Sequence, residues 1–206
     1  ALLFGMGTRC LFKPAIRRWG VVGAGVFAIA LIWSWRADQS EIRMTFLSGG
    51  PVIHVEDGNE MLIDCGDERF AEFVIPRQRR VRGMDFKAEC VVTHSVKHHA
   101  GGLSSLVKMH QIKKVYIGQA KSTSPVHKDI ADLASKVEVQ EVVAGEKIGP
   151  WMVLHPSTDE DFPRSSDDVL VLKGEFAAVK VLLLSDLGNN GRQALVRREA
   201  KLESDI

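Results

Sequence analysis

A chain of 206 residues with 27 Lys and Arg against 26 Asp and Glu, net charge +1, has room for one sizeable domain and an appendage. That near-cancellation means net charge alone points to neither a nucleic acid nor a membrane as partner. Three cysteines (Cys10, Cys65 and Cys90) without Cys-x-x-Cys spacing exclude a disulfide framework, and Cys65 and Cys90 lie in apolar runs where a free thiol packs as a small hydrophobe.

The chain opens on the apolar residues Ala1 to Met6 and ends just after a charged helical segment, so it reads as a fragment of a longer protein. Residues 1–40 are predicted to be a membrane segment. From Trp19 to Trp35 there is no charged residue, and as a helix that stretch would span roughly 25 Å, against ~30 Å for a hydrocarbon core. Trp19, Trp33 and Trp35 suit the interfacial belts, and Arg17, Arg18 and Arg36 can snorkel outward. Basic residues are denser before the stretch (Arg9, Lys13, Arg17, Arg18) than after it (Arg36, Arg43). The positive-inside rule therefore places the N-terminal side in the cytoplasm and the globular part outside the cytoplasmic membrane. A cleaved signal peptide fits less well, because Ser34-Trp35-Arg36-Ala37 is a poor cleavage site.

Residues 41–206 change to short strands and helices. Ile42, Met44 and Phe46 alternate with Arg43 and Thr45, the period of a half-buried strand. Val52 to Val55 and Met61 to Asp64 flank the turn residues Glu56-Asp57-Gly58-Asn59 and form a hairpin. A helix over 70–80, broken into by Pro76, precedes a buried strand at 88–93. Then come a helix at 101–109, a strand at 114–117 and a helix at 125–136 with Pro125 at its start. Strands at 151–155, 169–173 and 177–184 and a helix at 191–202 close the set. The stretch 156–168, with its five acidic residues, reads as a mobile loop. Hairpin first, then mixed strands and helices, predicts a layered α/β sandwich.

Chemistry concentrates at His94-Ser95-Val96-Lys97-His98-His99, where a buried strand delivers imidazoles into a tight loop followed by a helix, the usual setting of a metal site. With Thr93 before it and Ala100-Gly101-Gly102 after it, this loop resembles the T-H-x-H-x-D-H-x-G-G loop of the metallo-β-lactamase superfamily. Val96 stands where the second His belongs and His98 where the Asp belongs. The resemblance implies an αββα sandwich, incomplete at the C-terminus and preceded by one transmembrane helix.

The order of elements from about residue 19 to 190 is similar to that of ComEC-type competence proteins, the membrane channels of DNA uptake. The residues that carry this are Ile42 to Leu47, Leu62-Ile63-Asp64-Cys65-Gly66, the His loop, Val153-Leu154-His155-Pro156, Ser166-Asp167-Asp168-Val169, and Val181 to Asp186. The chain departs from that family at Ser48-Gly49-Gly50-Pro51, which has lost both carboxylates of the family's loop, and at Ser185, where the family writes Gly before Asp. The family's last His motif would lie beyond Ile206. What the resemblance implies is membrane association, single-stranded DNA as a candidate ligand and other competence proteins as partners.

The candidate metal ligands are His94, His98, His99 and Asp186, with Asp64 in support; His94 and Asp186 are expected side by side at one sheet edge. Four donors could hold one zinc and are too few for the two cations that two-metal hydrolysis requires. No cofactor is therefore expected, zinc is the ion that the set could hold, and the incomplete ligand motif leans against catalysis. Each residue also has a plainer role: a buried strand-end His bonded to backbone, an Asp capping a loop or helix, a loop position for His155. Arg77, Arg79, Arg80 and Arg82 form a possible phosphate-binding run, against the plainer reading of a solvated helix end. Three functions follow: a DNA-uptake membrane protein with a degraded hydrolase domain, an active metal-dependent nuclease acting on incoming DNA, or a membrane-anchored binding scaffold with no DNA role.

Overall fold

The computed structural model describes residues 23–34, 42–84, 87–119, 125–176, 178–199 and 202–206. The chain divides into two units, Ala1–Glu41 and Ile42–Ile206. In the first, residues 23–34 are helical and every one of them is exposed. Residues 19–22 and 35 of the predicted membrane helix lie outside the described residues. Among the described residues no helix is long and apolar enough to cross a membrane.

The second unit is built on two sheets. Strands β1 (Arg43–Leu47), β2 (Val52–Asp57) and β3 (Asn59–Ile63) form an antiparallel meander. A π-helical turn, Phe70–Val74, runs into helix α1 (Ile75–Val81), and β4 (Ala88–Val92) then joins β3 in parallel. Pro76 sits in the first turn after that widened segment, where its missing N–H costs least. The short helices α2 (Lys97–Ala100) and α3 (Leu103–Lys108) lead to β5 (Ile112–Gly118). Helix α4 (Pro125–Asp132) leads to β6 (Glu138–Val142), and the six strands lie in sequence order. The second sheet is antiparallel, in the order β10-β9-β8-β7, with β7 (Lys147–Ile148), β8 (Trp151–His155), β9 (Val171–Phe176) and β10 (Val179–Leu183). Helix α5 (Asn189–Arg198) follows.

Side-chain alternation along the strands sorts the core into three slabs. Leu62, Cys90 and Val92 face Ile75, Leu103, Leu106 and Ile130 of the helices. Met61, Ile63 and Val91, one residue out of phase, face Trp151, Val153, Leu172 and Phe176 of the second sheet. On that sheet's far side Leu154, Val169 and Val171 pack with Leu187 and Leu195. The layers are thus helix, sheet, sheet, helix, a mixed α/β sandwich.

Strand β6 was not expected from the sequence: Glu138 and Glu141 make it a charged edge strand with weak apolar alternation. Strands β9 and β10 begin two residues later than the sequence predicts, because they pair as a tight hairpin with Val179 opposite Phe176. The stretch 156–168, predicted as a mobile loop, contains a 3₁₀ turn, Ser165–Asp167, and a buried carboxylate. Asp167 accepts hydrogen bonds from the backbone N–H of Asn190 (3.0 Å) and Gly191 (3.2 Å), capping α5, while its carbonyl accepts one from His155 Nε2 at 2.7 Å.

The predicted basic run is not one surface cluster. Arg79 is 3% exposed and grips buried Glu60 with Nε–Oε1 at 2.5 Å and Nη2–Oε2 at 2.8 Å, while His54 Nε2 lies 2.9 Å from the same carboxylate. Arg82 pairs with Glu56 at 2.7 Å and Thr45 at 3.0 Å. Only Arg77 and Arg80 stand exposed. Helical geometry explains the split: residue 79 lies on the face opposite residue 77.

Burial alone would raise the Glu60 pKa, but hydrogen bonds from His54 and Arg79 and the charge of Arg79 outweigh it and hold the carboxyl below its ordinary value. A depressed carboxylate contributes stability that is complete above the ordinary glutamate range and is lost as pH falls through the folded-state pKa. Arg79→Met, which strands Glu60 in the core, should cost about 3 kcal/mol in urea unfolding at neutral pH. Glu60→Gln should flatten the acid limb of stability against pH. An unchanged acid limb would show that the network is not what fails there.

Candidate metal centre

Three chain segments converge at one edge of the sandwich. Strand β3 ends in Asp64, its parallel neighbour β4 ends in Thr93-His94, and β10 of the other sheet runs out into Ser185-Asp186. Parallel strands bring their C-terminal ends to the same side, which is why residues 29 apart in sequence become neighbours.

Asp64 is the hub. It is 3% exposed, accepts the Thr93 backbone N–H (2.8 Å) and hydroxyl (2.7 Å), and pairs with His99 Nδ1 at 2.7 Å. Its backbone is left-handed, φ 61°, a conformation Asp tolerates better than most side chains. The His99 carbonyl meanwhile accepts the N–H groups of Cys65 (2.8 Å) and Gly66 (3.1 Å), so α2 is stitched to the turn after β3. Gly102 completes the join: a Cβ there would meet Ala71 Cβ at 2.3 Å and the Asp67 carbonyl at 2.6 Å. The Gly101-Gly102 pair thus serves close approach as well as the turn.

His94 Nδ1 lies 2.9 Å from both oxygens of Asp186, as the sequence expects of this pair. The His94 Nε2 atom is buried without a hydrogen-bond partner, so the tautomer that donates from Nδ1 to Asp186 leaves no buried donor orphaned. His99 Nε2 is 3.8 Å from Asp186. Among the described residues the donors of His94, His99 and Asp186 form one cluster, all within 4.8 Å of one another. His98 is beside that cluster: its side chain is 67% exposed, with Nε2 3.9 Å from Asp186. His155 is elsewhere, fully buried against the 156–168 stretch.

Burial opposes charge on His99, but Asp64, through its hydrogen bond and field, and Asp186 outweigh it and lift its pKa above the ordinary imidazole value. Burial also raises Asp64, with the bonds from His99 and Thr93 partly offsetting it. For Asp186, burial is outweighed by His94 and His99, which hold it below the usual carboxylate range. The donor set fits one cation. Two imidazoles and a carboxylate are the protein share of a three-ligand zinc site, and a carboxylate behind His99 Nδ1 turns its Nε2 outward, as outer-shell partners do. It does not fit two, for want of donors. Even one ion would have to displace the proton between His94 and Asp186 and the extra proton favoured on His99.

Sequence reasoning missed Thr93 and Ser185. The two hydroxyls are 2.8 Å apart, tying the sheets together, and Ser185 has φ 50°, where glycine would be unstrained. It also missed the cavity of about 510 Å³ beside the cluster, walled by Phe46, Val52, Ile53, Ile63 and Leu182 to Leu184. Asp64, Thr93, His99, Ser185 and Asp186 form its polar end, and no Lys or Arg lines it.

No protein-family model matches the chain, and no curated protein matches it. Among solved structures it is similar to the metallo-β-lactamase FIM-1 of Pseudomonas aeruginosa in its mono-zinc form. That likeness has a TM-score of 0.40 and 14% identity over 64% of this chain and 57% of that one. It is also similar to a metallo-β-lactamase of Erythrobacter litoralis with β-mercaptoethanol in its active site, at a TM-score of 0.35 and 17% identity over 64% of this chain and 60% of that one. The chain thus spans less than two thirds of either structure.

Proposed function

We propose that residues 42–206 are a metallo-β-lactamase-like domain that has lost two-metal hydrolysis and serves a membrane protein of the ComEC type as a binding or structural element. The observation that carries this reading is the donor set: His94, His99 and Asp186 converge, His98 stands beside them with its side chain 67% exposed and its Nε2 3.9 Å from Asp186, and Val96 offers no ligand. The finer, DNA-uptake part rests on the order of sequence motifs from the apolar stretch 19–35 to Asp186. In that reading the stretch spans the cytoplasmic membrane with the domain on the extracytoplasmic side, and competence proteins and single-stranded DNA are its partners.

A second reading, a hydrolase working with one zinc, is favoured by the Asp64–His99 pair, which orients an imidazole toward the cavity. A zinc ion there would supply Lewis acidity to a bound substrate. The chain's own share would be orientation of His99 by Asp64, a proton held between His94 and Asp186, and exclusion of water by the leucines of β10. The cavity's apolar walls without Lys or Arg weigh against a polyanionic substrate, because phosphate recognition is mostly cationic.

Three measurements test the proposal. Elemental analysis after zinc loading and dialysis should return at most one equivalent per chain, and Val96→His with His98→Asp should raise it. The purified chain should hydrolyse neither phosphodiesters nor β-lactams above background with zinc or manganese; cleavage of single-stranded DNA that Asp186→Ala abolishes would establish the nuclease instead. After carbonate extraction the chain should stay in the membrane fraction with residues 19–35 intact, and a soluble product processed near Ala37 would overturn the membrane assignment.

A further inference from the structure

The helical run from Phe70 to Val81 buries Ile75 and Arg79 and turns the opposite face outward. Within α1, at 100° per residue, Arg80 and Val81 lie within about 60° of the direction of Arg77, and the widened turn before it brings Phe73 and Val74 to the surface too. The burial pattern agrees: Phe73 is 69% exposed, Val81 77% and Val74 36%, and both arginines are exposed. Arg77 and Arg80 engage no other group among the described residues. Among the described residues no carboxylate shares the face; Glu72 lies off to one side with Ser105 Oγ bonded to it at 3.2 Å.

We propose that this face of residues 70–81 is a docking surface for an anionic lipid bilayer. Three exposed apolar side chains interleaved with two guanidiniums that have no partner among the described residues call for apolar and anionic surroundings at once. An anionic membrane surface supplies both: Phe73, Val74 and Val81 enter the acyl boundary while Arg77 and Arg80 snorkel to lipid phosphates. A nucleic acid would satisfy the arginines and leave two valines in water. On the proposed reading, the apolar stretch 19–35 of the same chain would give the domain a bilayer to meet. The inference goes beyond the proposed function, since contact through this face is separate from whether residues 19–35 span.

The test uses the full chain with Cys10→Ser, carrying a nitroxide at Val81→Cys or, as control, at Val196→Cys on the exposed side of α5; native Cys65 and Cys90 are buried. Vesicles of phosphatidylcholine with or without phosphatidylglycerol are added, and collisional access to oxygen and to a nickel chelate is read by power saturation. In anionic vesicles the label at 81 should gain oxygen access and lose nickel access, while that at 196 is unaffected. Arg77→Glu with Arg80→Glu should weaken that response about 30-fold in the lipid concentration needed, at roughly fivefold for each arginine lost. Phe73→Ser, which keeps the charge, should weaken it too. Equal water access at 81 and 196, or a shift that survives charge reversal, overturns the proposal. Protection of position 81 by a single-stranded oligonucleotide but not by vesicles overturns it in favour of nucleic acid.

Discussion

One buried carboxylate organises this molecule's polar edge. Asp64 closes the end of β3, collects two hydrogen bonds from Thr93 at the end of β4, and holds His99 in α2. A carboxylate that is 3% exposed is tolerable only because its acceptor capacity is used. Those donors add side-chain bonds to the β3–β4 ladder and to the His99 carbonyl's contacts with Cys65 and Gly66 in fixing the ends of two parallel strands against a four-residue helix. Thr93 passes the constraint on to Ser185 and so to the second sheet.

The two sheets meet firmly at their centre and open at that edge. Trp151, fully buried with its ring 4.9 Å from that of Phe176, fills the space between them. Toward the ends of β1 and β10, Phe46 stays 61% exposed as a wall and does not fill the space, and the gap becomes the cavity beside His99 and Asp186. Placing a polar cluster at the mouth of an apolar cavity suits recognition of a ligand with both kinds of surface. It suits a highly charged polymer poorly.

The basic run shows how a single motif divides once folded. Four arginines within six residues look alike in sequence, yet helix phase sends Arg79 into the core, Arg82 to Glu56, and Arg77 and Arg80 outward. The buried one is held because Glu60 and His54 arrive from the β2–β3 hairpin. Pairing partners so distant in sequence leave no local trace.

Much of the architecture was legible because it follows local rules: alternation at β1, a buried apolar run at β4, turn chemistry between β2 and β3, and a Pro-started α4. The pairing of His94 with Asp186 was legible through the family resemblance, which sets the ends of their two strands side by side. Edge strand β6 and the capping role of Asp167 were not, because charged edges carry little periodic signal and a cap 23 residues from its helix is non-local. From the sequence alone came the types of donor at the His loop and the missing ligand at Val96, facts of residue identity that no folding can change. Tertiary structure decided which donors converge. His98 and His99 are adjacent in the chain, but the bond to Asp64 buries one imidazole in the cluster while the other stays largely exposed at its rim.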